Sequence, residues 1–380
     1  MKTQVLVTIH YMELGGAEMS LLGLLESLDY SKYEVDLFVY SHRGELLRHI
    51  PPQVHLLPEI PEYAQVERPL REVVRDGYFR IALARLRAKR RFRGYVRTHH
   101  PKDGAAVYSY IANELAPILP AIRPEKEYDI AVSYLMPHDY VLTKVRAKRK
   151  VAWIHTDYSQ VEVDAALELP VWAGYDRIVS ISPDVTRHFL DVFPSLKDKM
   201  VERPNVVPAA YIRSRTGEMT PEDVEEEMPR RPGRINLLSV GRFCYAKNYD
   251  NVPDICRRIR QDGVDACWYL VGFGETEALV RERIAEAGMQ EYVRLTGKKD
   301  NPYPYMLACD LYVQPSRYEG WPMTVLEARS LGKPVVLTDF PTARGIAAAD
   351  GGIRIVPTDN EGCARALAEI ASGIVKEKTK

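Results

Sequence analysis

The sequence predicts an α/β protein of two domains, each a doubly wound parallel sheet, and three observations carry that expectation. Short apolar runs alternate with helix-length segments along both halves of the chain, the pattern of parallel strands buried under helices on both faces. Its 380 residues, 46% of them hydrophobic, suffice for two ordinary cores. Between the halves, TGEMTPEDVEEEMPRRPGR (216–234) holds six acids and three prolines with almost no apolar residues, the composition of a solvated connection. Domains are accordingly expected at 1–205 and 234–380, joined by a linker at 206–233.

In the first half the predicted strands are QVLVTIH (4–10), YEVDLFVY (33–40), VHLLP (54–58), YDIAVSYL (128–135), KVAWIHT (150–156) and RIVSIS (177–182). AEMSLLGLLESL (17–28) and PDVTRHFLDVF (183–193) have helical spacing. The second half repeats the scheme with INLLSV (235–240), CWYLVG (267–272), YVRLT (292–296), DLYVQP (310–315), PVVLTD (334–339) and IRIVP (353–357). The segment 62–122 is too long for an ordinary connection and is expected to be a helical insertion.

The 52 basic and 52 acidic residues cancel, so the global charge offers no reason to expect a nucleic-acid partner. All five cysteines, at 244, 256, 267, 309 and 363, fall in the second half and none forms a CxxC pair, which points to a reducing, cytoplasmic compartment. No stretch reaches the ~20 apolar residues of a spanning helix, so a soluble or peripheral protein is expected. With no Asp-x-Asp, HExxH or close carboxylate cluster, neither a metal nor another cofactor is expected.

Two short segments carry the chemistry. In RYEGWPMTVLEA (317–328), Pro322 stands where a helix should begin and Gly332 just past its end. A strand–loop–helix unit of this kind aims free helix N–H groups at the crevice beyond the strand ends, where an anion would sit. Gly320 would let backbone approach the ligand, with Glu319 before the helix and Glu327 in its second turn reaching different parts of one elongated molecule. The structural alternative makes Glu319 a dipole partner and Glu327 a solvated face residue. In SVGRFCYAKNYD (239–250), Gly241 makes the turn after a strand and places Arg242 and Lys247 at the same sheet edge, where they could neutralise a diphosphate.

GGAE (15–18), WIHTD (153–157), SVGRFCYAKNYD, LVGFGE (270–275) and SRYEGWPMTVLEARSLGKPVV (316–336) together resemble the GT4 family of retaining, nucleotide-sugar-dependent glycosyltransferases with the GT-B fold. The resemblance implies two Rossmann-like domains facing across a cleft, the second binding the donor and the first the acceptor. It implies that Arg242 and Lys247 bind the donor diphosphate and stabilise the leaving group, that Glu319 holds the transferred sugar, and that Glu327 holds the ribose hydroxyls. Backbone at Gly241, Gly320, Trp321, Pro322, Met323 and Thr324 would line the donor, and Gly15 and Gly16 would let the first loop approach the diphosphate. His155 would contact the donor sugar near the reacting carbon, with Asp157 a weaker candidate; a hydrogen-bonded structural histidine is the alternative. Family members commonly end in helices that cross back onto the first domain, whereas one helix-like stretch (361–377) precedes Lys380, so the resemblance leaves the packing of that end open.

The activity implied is metal-independent transfer of a sugar from a nucleotide-diphosphate sugar to a saccharide or lipid-linked acceptor, in the synthesis of cell-envelope polysaccharide or glycolipid. Rival readings with the same architecture are a nucleotide-sugar epimerase, a phosphorylase and a non-catalytic nucleotide-sugar-binding protein; transfer to an added acceptor separates them. Between 66 and 97 the insertion carries eleven basic against three acidic residues. Leu70, Val73, Val74, Tyr78 and Ile81 recur beside them at helical spacing, as in a helix lying on an anionic membrane. The alternative is an amphipathic helix packed on its own domain, since Gly77 and Gly94 interrupt the pattern.

Overall fold

The computed structural model describes residues 2–101, 103–349 and 351–378. It divides into two compact units, 1–206 and 207–380. The first contains β1 (Thr3–Ile9), β2 (Tyr33–Val39), β3 (His55–Leu56), β4 (Tyr128–Ser133), β5 (Ala147–Ile154), β6 (Arg177–Ser180) and β7 (Met200–Glu202), all parallel, in the order β3-β2-β1-β4-β5-β6-β7. In the second are β8 (Ile235–Val240), β9 (Ala266–Val271), β10 (Val293–Gly297), β11 (Leu311–Gln314), β12 (Val335–Thr338) and β13 (Ile353–Val356), also parallel, in the order β10-β9-β8-β11-β12-β13. Both are doubly wound Rossmann-like sheets, and in each the order reverses between the first and fourth strands, which opens a crevice at their carboxyl ends.

Strand burial explains why the apolar runs were legible. Every residue of β8 and β9 is buried, because helices cover both faces of an all-parallel sheet. Trp268 of β9 is fully buried against Ile255, Ile259 and Leu367, and its indole N–H donates to Ser239 Oγ at 2.9 Å. The helix Asn360–Lys378 packs on the helix Val252–Gln261 over that part of the core.

Two expectations need correction. The segment assigned to a linker is folded into the second unit as helices Ala209–Thr216 and Pro221–Glu227. Its acidic composition concealed a capping box, in which Asp223 N–H donates to Thr220 Oγ1 and Thr220 N–H donates to the Asp223 carboxylate. It also concealed four buried apolar side chains, Tyr211, Ile212, Val224 and Met228. Glu227 then pairs with Lys299 at 2.7 Å.

The insertion between β3 and β4 is helical, with helices Pro61–Ala64, Leu70–Arg75, Phe79–His99 and Val107–Leu115. The apolar stripe read across 70–81 is not one surface, because Gly77 takes φ +85° and breaks the chain into two helices. Val73 and Ile81 are buried inside the domain. Along Phe79–His99, Ile81, Ala84, Arg85 and Ala88 face inward while Phe79, Leu83 and Leu86 are 64%, 50% and 53% exposed. Arg91 is structural: it pairs with Glu114 at 2.7 Å and lies over the Tyr110 ring, fastening the two long helices of the insertion.

Candidate functional site

The loops that follow β8 and β11 leave adjacent strands at the reversal point of the second sheet. They carry both sequence segments singled out above. Side chains bind the loops to each other: Arg317 makes a two-point ion pair with Asp250 at 2.7 and 2.9 Å, and its guanidinium lies 4.2 Å from the Tyr245 ring centre. Asn248, in the left-handed region at φ 61°, donates to Pro315 O at 2.9 Å. These contacts hold the first loop's cation against the second loop's carboxylate.

Lys247 Nζ lies 2.6 Å from Glu319 Oε1, and both side chains are largely buried, at 16% and 12% exposure. Gln314 Nε2 and Ser316 Oγ donate to that same oxygen at 2.8 and 2.6 Å. Three donors on one oxygen fix the carboxylate's geometry and leave Oε2 without a protein partner among the described residues, able to accept further hydrogen bonds. Thr342 Oγ1 fixes the Glu319 backbone through its carbonyl at 2.7 Å. Arg242 is exposed and makes no ion pair among the described residues. Gly241 is small for a reason: a Cβ there would stand 3.1 Å from Lys247 Cε and 3.0 Å from Tyr249 Oη.

Pro322 is the residue preceding the helix Met323–Ser330 rather than its first member, and no side chain caps that end. The helix therefore offers its N-terminal N–H groups and dipole beside Lys247 and Glu319. A Cβ at Gly320 would meet nothing within 4 Å, so no contact inside the protein demands glycine there. Trp321 precedes the helix with its indole Nε1 sealed and unpartnered, and Met323 and Thr324 form the first turn. Glu327 is buried and its carboxylate has no partner among the described residues; burial raises its pKa to about 7. A carboxylate left without donors inside a protein is costly unless a ligand supplies them.

Gly272 and Gly274, in the loop after β9, adopt φ +143° and +158°. A Cβ on Gly272 would lie 1.9 Å from Gly241 O, so these glycines let the third loop of the crevice nest against the first. Gln314, Ser316 and Thr342, which orient Glu319, escaped the sequence reading. Their signal is weak, since a polar residue at a strand end has many structural uses.

The first unit is built differently around its predicted residues. Gly15 precedes the helix Gly16–Ser27, and a Cβ on it would meet Glu18 Oε2 at 2.2 Å. The glycine thus accommodates the chain's own carboxylate at that helix start. His155 follows β5 beside Tyr134, with ring centres 4.7 Å apart, and its Nε2 is sealed and unpartnered. Burial lowers its pKa to about 3, so it is a neutral imidazole at physiological pH. Asp157 is engaged with His188 Nδ1 at 2.7 Å.

Residues 222–377 match the family model described as glycosyl transferases group 1. Among curated relatives, the amylovoran biosynthesis glycosyltransferase AmsD of Erwinia amylovora is 28% identical over 36% of this chain and 38% of its own length. A second is the N-acetylgalactosamine-N,N'-diacetylbacillosaminyl-diphospho-undecaprenol 4-alpha-N-acetylgalactosaminyltransferase of Campylobacter jejuni, 30% identical over 33% of this chain and 34% of its own length. The matches thus span little more than a third of these relatives. The crystal structure of Anabaena HepE in complex with UDP superposes with a TM-score of 0.59 at 15% identity, covering 100% of this chain and 91% of that one. The chain has the GT-B type of fold, and the match to the group 1 glycosyl transferase model lies within its second unit.

Proposed function

We propose that this chain, whose second unit matches the group 1 glycosyl transferase model, is a retaining glycosyltransferase that takes its sugar from a nucleotide-diphosphate donor. The observation that carries the reading is the Lys247–Glu319 pair at the reversal point of the second sheet, flanked by the free Arg242 and an uncapped helix start. Cleaving the bond between the anomeric carbon and the diphosphate builds negative charge on the leaving oxygen. Lys247, Arg242 and the N–H groups after Pro322 are fixed charges and dipoles suited to that oxygen. The free Oε2 of Glu319 accepts hydroxyls of the transferred sugar, and the unpartnered Glu327 carboxylate accepts the two ribose hydroxyls. His155, in the first domain, donates or accepts one hydrogen bond at the sugar. With this much positive charge at the leaving group, the transfer proceeds without a divalent metal.

The amylovoran-biosynthesis and diphospho-undecaprenol relatives support a role in polysaccharide or glycolipid synthesis with a saccharide or lipid-linked acceptor; we place that acceptor in the first domain and the protein at the cytoplasmic face of a membrane. A specific observation favours contact with an anionic lipid surface. Phe79, Leu83 and Leu86 stand exposed on the helical face that continues through the exposed Arg90, Arg93 and Arg97, opposite the buried face. Liposome sedimentation tests it: binding should need anionic lipid, weaken with salt, and fall in Leu83→Glu and Arg90→Glu/Arg93→Glu variants. Equal pelleting with neutral lipid contradicts it. For the donor, a thermal-shift panel of UDP-, GDP- and ADP-sugars should select one base; a ligand at 100 times its Kd stabilises by about 2.7 kcal/mol. No shift with any of the three would contradict the reading.

A further inference from the structure

At the reversal point of the first sheet, beyond the ends of β1 and β4, lies a cavity of about 490 Å³. His10 and Tyr11 after β1, and Leu135 to Pro137 after β4, form its floor; the insertion supplies the remaining wall, including Arg85, Lys89 and Tyr108. The volume falls within the range of small-ligand pockets and admits one or two sugar rings.

Charge in this wall is unevenly matched. Glu67, the only carboxylate in the lining, is held by Arg43 at 2.7 Å and approached by His10 Nε2 at 3.5 Å. Arg85 is only 6% exposed, and it has no carboxylate partner among the described residues. One of its nitrogens donates to the carbonyls of Gln65 and Arg68, while its Nε is sealed and unpartnered. Lys89, one turn further along the same helix and half-buried, makes no ion pair or hydrogen bond among the described residues. Glu67 acts on Arg85 only through space and is itself paired with Arg43, so one shared carboxylate leaves the buried guanidinium and the half-buried ammonium in excess, a charge that an anionic ligand would offset. On the rim, Tyr108 is 56% exposed and offers an aromatic face to a sugar ring.

We infer that this cavity binds an acidic saccharide, with Lys89 and Arg85 recognising a carboxylate or phosphate substituent while the apolar wall and Tyr108 hold the ring bearing it. Resting on the glycosyltransferase reading, this makes the acceptor an anionic sugar rather than a neutral one and Lys89 its specificity determinant. Arginine provides the buried, fixed donor set, and lysine the mobile charge nearer the mouth.

The test uses the full chain without nucleotide and three probes: a glucuronic-acid-terminated disaccharide, its carboxyl-reduced neutral counterpart, and the same neutral disaccharide bearing a 6-phosphate. Binding is read by ligand-observed NMR and calorimetry. At least one acidic probe should bind ten times or more tighter than the neutral one, and which acidic probe does so identifies the anion. Lys89→Gln should remove that preference, whereas Arg87→Gln, at an exposed position of the same helix, should leave it intact. Arg85 also holds two backbone carbonyls, so Arg85→Lys is read only after its thermal unfolding matches wild type. Equal binding of the acidic and neutral probes, binding of none of them, or a preference unchanged in Lys89→Gln overturns the inference. Failure of these tests alongside a normal response to nucleotide sugars leaves the glycosyltransferase reading standing; absence of any nucleotide-sugar response strikes that reading instead.

Discussion

The crevices of the two sheets occupy equivalent positions and are assembled in opposite ways. In the second, the central cation and carboxylate come from the short loops directly following β8 and β11 and are already paired, Lys247 to Glu319 at 2.6 Å, with Glu327 in the helix that follows. In the first, the floor comes from the strand ends but the charges come from a helix inserted between β3 and β4, and Arg85 and Lys89 wait unpaired. The difference teaches where each kind of specificity is stored. On the proposed reading, chemistry common to many nucleotide sugars is fixed by rigid loops at strand ends, while recognition that differs from one acceptor to another is carried by an added element.

Five changes would break or sharpen that contrast. Lys247→Ala has the largest expected effect: kcat should fall by about 10²–10³, the scale of losing one preorganised charge at a leaving group. Steady-state release of nucleoside diphosphate measures it, and wild-type turnover in a folded variant would remove Lys247 from the chemistry. Glu327→Gln should weaken donor binding by about tenfold, because a neutral acceptor replaces a charged one toward the ribose.

The same residue gives a pH dependence. Free Glu327 has a pKa raised to about 7 by burial, and it must be ionised to accept two hydroxyls. Donor affinity should therefore plateau above pH 7 and fall below it, by up to about tenfold per unit. Calorimetry between pH 5.5 and 8.5 should show this slope in wild type and its loss in Glu327→Gln; parallel slopes would assign the titration elsewhere.

A smaller loss is expected in Gly241→Ala, whose new Cβ stands 3.1 Å from Lys247 Cε. The lysine must shift by a few tenths of an ångström, and kcat should drop about threefold to tenfold with donor affinity nearly unchanged. If affinity falls instead and kcat holds, Gly241 serves the ligand rather than the lysine. No effect at all is expected from excess EDTA if, as proposed, Arg242, Lys247 and helix N–H groups meet the leaving group; a strict Mg²⁺ or Mn²⁺ requirement in the same assay would contradict that.

Much of the fold was legible because parallel, doubly covered strands are continuous apolar runs, and each of the twelve predicted runs overlaps a strand. β7 was missed: three residues at a sheet edge, none of them buried, leave little pattern. The linker assignment failed because composition was averaged over 216–234, whereas Val224 and Met228 recur one helical turn apart and pack inward among exposed acids. The stripe read across 70–81 is divided at Gly77, one of the two glycines that interrupt its spacing, and the left-handed conformation of that residue is what the spacing alone does not show. In the candidate site, Arg242, Lys247, Glu319 and Glu327 were readable because contiguous motifs hold them. Gln314 and Ser316 were not, because their role lies in an oxygen they share with Lys247, a contact made only in three dimensions. For the first crevice the distances in sequence are larger still: His10, Lys89 and Leu135 meet only through the topology.

The central claim is that the second sheet's crevice activates a nucleotide-diphosphate sugar for transfer with retained configuration. Real-time NMR of the donor's anomeric proton tests it most directly, using the donor selected by thermal shift and the acidic disaccharide as acceptor. The account predicts that nucleoside diphosphate appears in step with a new glycoside of the donor's own anomeric configuration, and that both signals disappear together in Lys247→Ala. A donor that binds and is never consumed, one converted to an epimer without a glycoside, or a product of inverted configuration would contradict it.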